Sequence, residues 1–184
     1  MLPERALAFP VVLRPFEPGD APRVQLLAGE REVAETTAVI PHPYPDGAAA
    51  EWIAAQARDL AAGREYTYAV TLSEDGSLVG AIGLRPTATD HENIGYWIGR
   101  PYWGRGYATA AGRAVIALAF SLLDLDLITA SHLARNPASG RVMAKCGMRP
   151  LRTESRDHRG RREEFCVCGI TRDAWERLVD ASAA

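Results

Sequence analysis

Three strand-like runs follow one another with no helix between them, and no other feature restricts the fold of this chain so sharply. Tyr66, Tyr68, Val70 and Leu72 alternate with more polar neighbours, the two-residue period of a half-buried strand. Glu74-Asp75-Gly76-Ser77 then supplies Asp-Gly, a strong hairpin signal, and Leu78–Leu84 makes the return strand. A connection over Pro86 to His91 leads to a third strand, marked by Ile94, Tyr96 and Ile98 and ending at Pro101. Beyond it the pattern changes. A nearly all-apolar helix over 108–123, a strand over 125–130, a helix over 137–146 and a strand over 148–155 follow. A turn at 158–161 returns the chain into a strand at 164–168. A doubly wound parallel sheet needs a helix between every pair of strands, so it is excluded. The order predicts an α+β fold: one mixed, mostly antiparallel sheet of about seven strands with helices on both faces.

The flanks complete this order. Val11-Val12-Leu13-Arg14 reads as a short strand halted by Pro15 and Pro18. Asp20 is placed to cap a helix carrying Val24, Leu26 and Leu27, and a second helical stretch runs from Glu30 to Val39. Pro41, Pro43 and Pro45 exclude a helix there. Asp46 then caps an alanine-rich helix through Trp52 to Gly63, and Thr171 caps a last helix holding Trp175 and Leu178. No repeat, linker or low-complexity tract divides the 184 residues, so one domain over 1–184 is expected, with its core at about 11–175.

Charge and cysteine usage narrow the function. Lys+Arg 21 against Asp+Glu 23 gives −2, which argues against a DNA-binding protein. No run approaches the ~20 apolar residues of a membrane span, and the first ten residues place charges and prolines where a signal peptide needs its apolar core. Cys146, Cys166 and Cys168 form neither a disulfide framework nor a CxxC metal site, as expected of a cytoplasmic protein without a metal. Cys166 and Cys168 lie on one strand face and read as core.

The chemistry centres on the turn Trp103-Gly104-Arg105-Gly106-Tyr107-Ala108-Thr109, where a strand gives way to a helix. First-turn helix amides have no internal partners and sit at the positive end of the dipole, so this turn can aim N–H groups at a phosphate or pyrophosphate. Gly104 and Gly106 permit close approach and Arg105 adds charge. No Gly-Lys-Ser/Thr follows, which excludes a Walker loop. A dinucleotide fingerprint would lack its third glycine, although Asp124 and Asp126 lie at the spacing it requires. The plain alternative is a helix merely opened by glycines.

Together with Tyr96-Trp97-Ile98, Asn136-x-x-Ser139 and Lys145-x-Gly147-Met148, this turn resembles the GNAT N-acetyltransferase superfamily. The similarity is to its RimJ/RimL-like branch of ribosomal-protein N-terminal acetyltransferases. It covers roughly Val11 to Trp175, including Leu13-Arg14-Pro15 and Thr171-Arg172-x-x-Trp175. Trp103 stands where the family's loop begins with Gln or Arg, a side chain not needed for donating backbone N–H groups. The resemblance implies a GNAT-like sheet splayed at its centre, between the strand ending at Pro101 and the one ending near Arg135. It also implies acetyl-CoA as co-substrate, its pantetheine in that gap against the backbone of Ile98 and Gly99. Asn136 and Ser139 would then face the pantetheine arm and sulfur, with Arg141 or Lys145 near the phosphates. Asn136 and Ser139 also read as an ordinary helix cap and first turn.

The resemblance further implies direct acetyl transfer to an amine-bearing acceptor, without DNA or membrane, and a homodimer is compatible with it. The tyrosine acid of many members falls at Met143 here, leaving Ser139 to serve the thiolate. The branch's glutamate position holds Asn93, with Glu92 one residue earlier and therefore on the opposite strand face. Glu92 reads as a solvated strand-edge acid or, where a bulge re-aims it, as the base. Asn93 can orient an amine or a water, and His91 reads as a loop residue. A weak base favours an acceptor that is already neutral: at pH 7.4 a lysine amine is roughly 0.1% neutral and an α-amine roughly 30%. The expected acceptor is a protein or peptide N-terminus or a small low-pKa amine. A CoA-binding sensor without catalysis and a dinucleotide-dependent oxidoreductase are the competing readings. The basic run 156–162, with Arg152, reads as a solvated hairpin tip or a contact for an acidic partner such as ribosomal RNA.

Overall fold

Alternation along the strands gives the sheet two apolar faces, and each buries against a different set of helices. The computed structural model describes residues 5–85 and 94–183. In β3 (Tyr66–Leu72) every residue is buried, with Tyr66, Tyr68, Val70 and Leu72 in one core and Ala69 in the other. The first core is closed by α4 (Tyr107–Leu122), whose Ala111, Val115, Ile116, Ala119 and Phe120 recur at helical spacing. Trp175 of α6 (Arg172–Ala183) lies over Phe120, ring centroids 5.4 Å apart. The second core sits beneath α1 (Ala21–Ala28), α2 (Arg31–Glu35) and α3 (Ala48–Ala61), where Val24, Leu27, Val33 and Ile53 meet Ala81 and Trp97.

Among the described residues the sheet has eight strands in the order β1-β2-β3-β4-β5-β6-β8-β7. They are β1 (Ala6–Ala8), β2 (Val11–Arg14), β3, β4 (Leu78–Leu84), β5 (Ile94–Ile98), β6 (Leu127–Leu133), β7 (Arg149–His158) and β8 (Arg161–Thr171). The mixed sheet expected from the element order is present, with one strand more than the seven read from sequence. The extra strand is β1, three residues that pair antiparallel with β2 and carry too little pattern to register as a strand. Every described pairing is antiparallel except β5 with β6. Among the described residues that parallel pair has a single register point, Ile94 opposite Ala130, before the strands diverge. The sheet is therefore splayed there, with α5 (Pro137–Lys145) following β6 at the opening.

Several local expectations change. The second helical stretch stops at Glu35 rather than Val39, because the Thr36 and Thr37 hydroxyls turn back onto the carbonyls of Glu32, Val33 and Ala34. Gly47, in the left-handed region at φ 80°, caps α3 in place of Asp46. Asp20 precedes α1, yet its carboxylate accepts from Arg14 at 2.7 and 2.8 Å and from the Glu17 amide instead of capping. Burial pushes that carboxyl upward, but the Arg14 and Glu17 bonds outweigh it and hold it below the ordinary aspartate range. The third strand ends at Ile98, since Arg100–Tyr102 forms one turn of 3-10 helix. Strands β6, β7 and β8 reach beyond the ranges read from sequence, because ladder pairing extends them through polar residues. Among the described residues, no helix is long and apolar enough to cross a membrane.

Candidate active site

The glycine turn leaves β5 and enters α4 through two residues in the left-handed region, Gly104 at φ 75° and Gly106 at φ 82°. Gly106 is the N-cap of α4, and a Cβ built on either glycine would meet nothing within 4 Å. The first-turn amides of Tyr107, Ala108 and Thr109 have no intrahelical acceptor, and all three residues line the same cleft. That cleft, of about 280 Å³, runs from the turn along the splay, past Ile98, Trp103, Asn136, Ser139, Arg141 and Lys145. Arg105 stands over the Tyr102 ring, 5.9 Å from its centroid, at the rim. A neighbouring groove shares Gly106, Thr109 and Lys145 and reaches Arg113 and the exposed Phe9. Arg113 is partly engaged there, its guanidinium donating to the Lys145 carbonyl at 2.8 and 3.0 Å.

Backbone polarity in the splay follows from the ladder. The Gly99 amide donates to the Val79 carbonyl at 2.8 Å. Antiparallel alternation then turns the backbone groups of Tyr96 and Ile98 away from β4, toward the gap. The expectation that both Ile98 and Gly99 offer backbone to the gap is thus corrected: the Gly99 amide belongs to the sheet. The Ile98 carbonyl is also taken, by the Trp103 indole N–H at 2.6 Å. Trp103 therefore closes the end of β5, and the Ile98 amide faces the gap.

At the middle of the splay the Tyr96 hydroxyl meets Ser139 Oγ at 2.8 Å. The two residues are 43 positions apart and are brought together by the parallel crossover from β5 through α4 and β6 to α5. Asn136 caps α5, its Oδ1 accepting from the Ser139 amide at 3.3 Å, so the cap reading of Asn136 is realised. Its side chain lines the cleft as well. Met143 is buried at 3% exposure. The phenol at the centre comes instead from Tyr96, which sequence reasoning placed on a strand face without a chemical role. Burial pushes its pKa up to about 12, against a smaller opposing effect of the Ser139 bond, so it carries its proton at neutral pH. Burial likewise lifts the Cys146 thiol to about 11, which leaves it a packing group against Gly112 and the Thr109 carbonyl.

A second cavity, of about 460 Å³, begins at the same Tyr96–Ser139 pair and extends to Trp52, Glu65, Asp157, His158 and Phe165. Its described acids are engaged: Glu65 accepts from Arg85 at 2.6 Å and from Thr67 at 3.2 Å, and Asp157 accepts from the Gly160 amide. His158 Nε2 lies 3.0 Å from the Thr37 carbonyl. Thr36 and Thr37 line both cavities. His91, Glu92 and Asn93 lie outside the described residues.

The basic run at the β7–β8 turn is a solvated hairpin tip, with Arg152, Arg159, Arg161 and Arg162 exposed, but three of its cations are engaged. Arg156 pairs with Glu154 at 2.6 Å and stands over Phe165, and Arg152 pairs with the same Glu154. Arg159 donates to the carbonyls of Ala34, at 2.8 Å, and Ile40. The alternative of a free basic surface for an acidic partner loses these three cations to internal bonds.

Comparison with known proteins agrees with this geometry. Residues 11–149 match the acetyltransferase (GNAT) domain model. A curated relative, FsC-acetyl coenzyme A-N(2)-transacetylase of Aspergillus fumigatus, is 31% identical over 98 residues. The match covers 51% of this chain and 42% of that protein, so the chain spans less than half the length of that relative. Mycobacterium smegmatis RimJ, solved with CoA-disulfide, superposes with a TM-score of 0.78 at 23% identity, over 94% of this chain and 89% of that one. RimL, the ribosomal L7/L12 α-N-protein acetyltransferase, solved with coenzyme A, gives 0.80 at 12% identity, over 93% and 99%.

Proposed function

Because this chain belongs to the acetyltransferase (GNAT) domain family, we propose that it is an acetyl-CoA-dependent N-acetyltransferase acting on an α-amine or a similarly acidic small amine. The carrying observation is that two cavities meet at one hydroxyl pair, Tyr96 and Ser139, inside the splay of the sheet. The glycine turn suits a pyrophosphate: two positive-φ glycines face open space beside three first-turn amides. Gly104, Gly106, Tyr107, Ala108 and Thr109 would hold it through backbone, with Arg105, Arg141 and Lys145 supplying charge at the cleft. Asn136 would face the pantetheine arm, and the adjoining groove, lined by Arg113 and Phe9, would receive the nucleotide end.

Bound acetyl-CoA supplies an activated thioester acyl group. The chain's own residues then have three tasks. The Ile98 amide, turned into the gap, hydrogen-bonds the acyl oxygen as negative charge grows there. Tyr96, protonated at working pH, and Ser139 hold a proton at the departing sulfur, with either hydroxyl able to donate to the other. The second cavity orients the amine. Its described acids are already paired, which suits an acceptor with an appreciable neutral fraction and favours an α-amine over a lysine by about 2.6 pH units, or roughly 3.5 kcal/mol.

The test is isothermal titration with acetyl-CoA, CoA and NAD(P), followed by thiol release with two peptides. One carries a free α-amine and an acetylated lysine, the other the reverse. Acetyl-CoA binding with faster release on the α-amine peptide is expected. Binding without release from either amine would replace the enzyme by a CoA-binding sensor. Binding of NAD(P) without CoA would overturn the reading of the turn.

A further inference from the structure

Residues 30–40 are tied to both halves of the splayed sheet. On one side the Arg100 amide, just past β5, donates to Glu30 Oε2 at 3.0 Å, and the Arg100 guanidinium pairs with Glu32 at 3.0 Å. On the other side, side chains from the β6–α5 connection, the end of β7 and the β7–β8 turn hold a row of carbonyls. Arg135 reaches Glu35 at 3.0 Å, His158 reaches Thr37, and Arg159 reaches Ala34 and Ile40. Between these anchors lie Thr36 and Thr37, the wall common to both cavities, and Ile40, which lines the second. The two half-sheets share one described register point, so this segment is a second bridge across the opening.

Arg159 carries a further mark. It is the sole described non-glycine residue with positive φ, at 57°, and Gly160 follows at 74°. Tight hairpin turns of this kind take Asn, Asp or Gly at such positions, because a longer side chain pays a steric cost there. A local rule broken in this way needs a compensating gain. Here the gain is a guanidinium shared between the Ala34 carbonyl, in the last turn of α2 where the helix dipole favours a cation, and the Ile40 carbonyl in the segment beyond. Arg135 is itself held by Glu163 at 2.7 and 3.1 Å, so the second guanidinium is fixed from behind.

We propose that Arg159, supported by Arg135 and His158, is a positioning residue for the amine acceptor. It clasps residues 34–40 against the β7–β8 turn and so fixes the wall of the second cavity. This rests on the reading above that the second cavity receives the acceptor. Arg159 touches neither reacting group. Its effect is expected mainly on acceptor KM and less on acetyl-CoA affinity, since only Thr36 and Thr37 of the clasped segment reach the cleft and the glycine turn lies outside it.

Arg159→Gly is the decisive variant, because it eases the left-handed backbone while deleting the guanidinium, and so keeps the hairpin foldable. Hydrogen exchange over residues 31–40 should accelerate about tenfold in the variant. With the α-amine peptide, KM should rise about tenfold, kcat should stay within twofold, and the acetyl-CoA Kd should stay within threefold. Arg159→Lys should recover part of the KM through one retained carbonyl bond. Unchanged exchange over 31–40 would overturn the clasp, and faster exchange with unchanged KM would overturn the positioning role. A wild-type protein that releases no thiol with either peptide would defeat the proposed function, while the exchange result would still decide the clasp.

Discussion

The cleft at the glycine turn and the cavity beyond Tyr96 share one wall but are built in opposite ways. The cleft takes its phosphate end from one stretch, Trp103, Gly104 and Gly106 to Thr109, and most of what that stretch offers is backbone. The cavity gathers side chains from α3, β3, β5, β6, β7 and β8 and depends on which of them are already paired. A phosphate site can therefore be specified by glycine placement and a helix start, in one stretch of sequence. A site that selects an amine is specified by tertiary contacts, and no single stretch carries it.

Gly106→Val tests the first half of this contrast and should have the largest effect. A β-branched side chain at φ 82° both strains the turn and fills the open space before the first-turn amides. Acetyl-CoA affinity should fall more than about 100-fold by titration, the scale of losing several charge-assisted bonds. Gly76→Val is the control. Gly76 has φ 74° and equally open surroundings in the β3–β4 hairpin. Both variants should lose about 1–3 kcal/mol of stability from the strained backbone, and only Gly106→Val should lose the ligand. Equal ligand loss in both would mean that strain, rather than occlusion, governs the turn.

Tyr96→Phe and Ser139→Ala probe the point where the regions meet. Removal of a positioned proton donor typically costs about 10²-fold or more in turnover. Tyr96→Phe should lower kcat by about 100-fold and Ser139→Ala by about tenfold, with acetyl-CoA Kd nearly unchanged in each. A larger loss at Ser139 would reverse the roles within the pair. Lys145→Ala should be smaller still. An exposed cation at the cleft edge contributes up to about 1 kcal/mol, so a few-fold weakening that disappears at high salt is expected in titrations across ionic strength.

The same division explains what the sequence discloses. The hairpinned strands, the Asp-Gly turn, the apolar stripe of α4 and the glycine turn are local patterns, and each is found where it was read. The Asn136 cap of α5 was legible because an asparagine stands directly before Pro137, and it accepts from the Ser139 amide. Tyr96 was named as a strand-face residue and within the family motif but given no chemical role, because nothing in the sequence pairs it with Ser139, 43 residues on. Alternation of Ile94, Tyr96 and Ile98 along a strand leading into the splay is the signal that could have raised it. Arg159 was hidden within a run of arginines, each an ordinary surface residue until its acceptor is known. Asp46 gives up the α3 cap to Gly47, which enters the helix from the left-handed region with no side-chain cap bond. The candidate base Glu92 and the candidate orienting residue Asn93 fall outside the described residues.

The smallest expected effect is on pH dependence near neutrality, and its smallness is informative. Burial lifts the Tyr96 phenol from its ordinary value of about 10 to about 12, and Tyr68 to about the same value. Neither tyrosine titrates between pH 6 and 9, so neither sets the rate there, and under the proposed function the rise of rate over that range should follow the acceptor's amine. Replacing one α-amine peptide by another of lower amine pKa should shift the kcat/KM profile by the same amount. Tyr96→Phe should lower the whole profile without moving its midpoint. A midpoint that follows Tyr96→Phe would instead assign the titration to the site and weaken the case for a self-neutralising acceptor. At higher pH the sign is set by linkage. A group whose folded pKa is raised contributes stability that is complete below its unfolded value and is lost as pH rises through the folded one. Both buried tyrosines should therefore make the fold progressively less stable between about pH 10 and 12. Denaturation midpoints across that window check the loss, and phenolate absorbance should show two tyrosines ionising only as the protein opens.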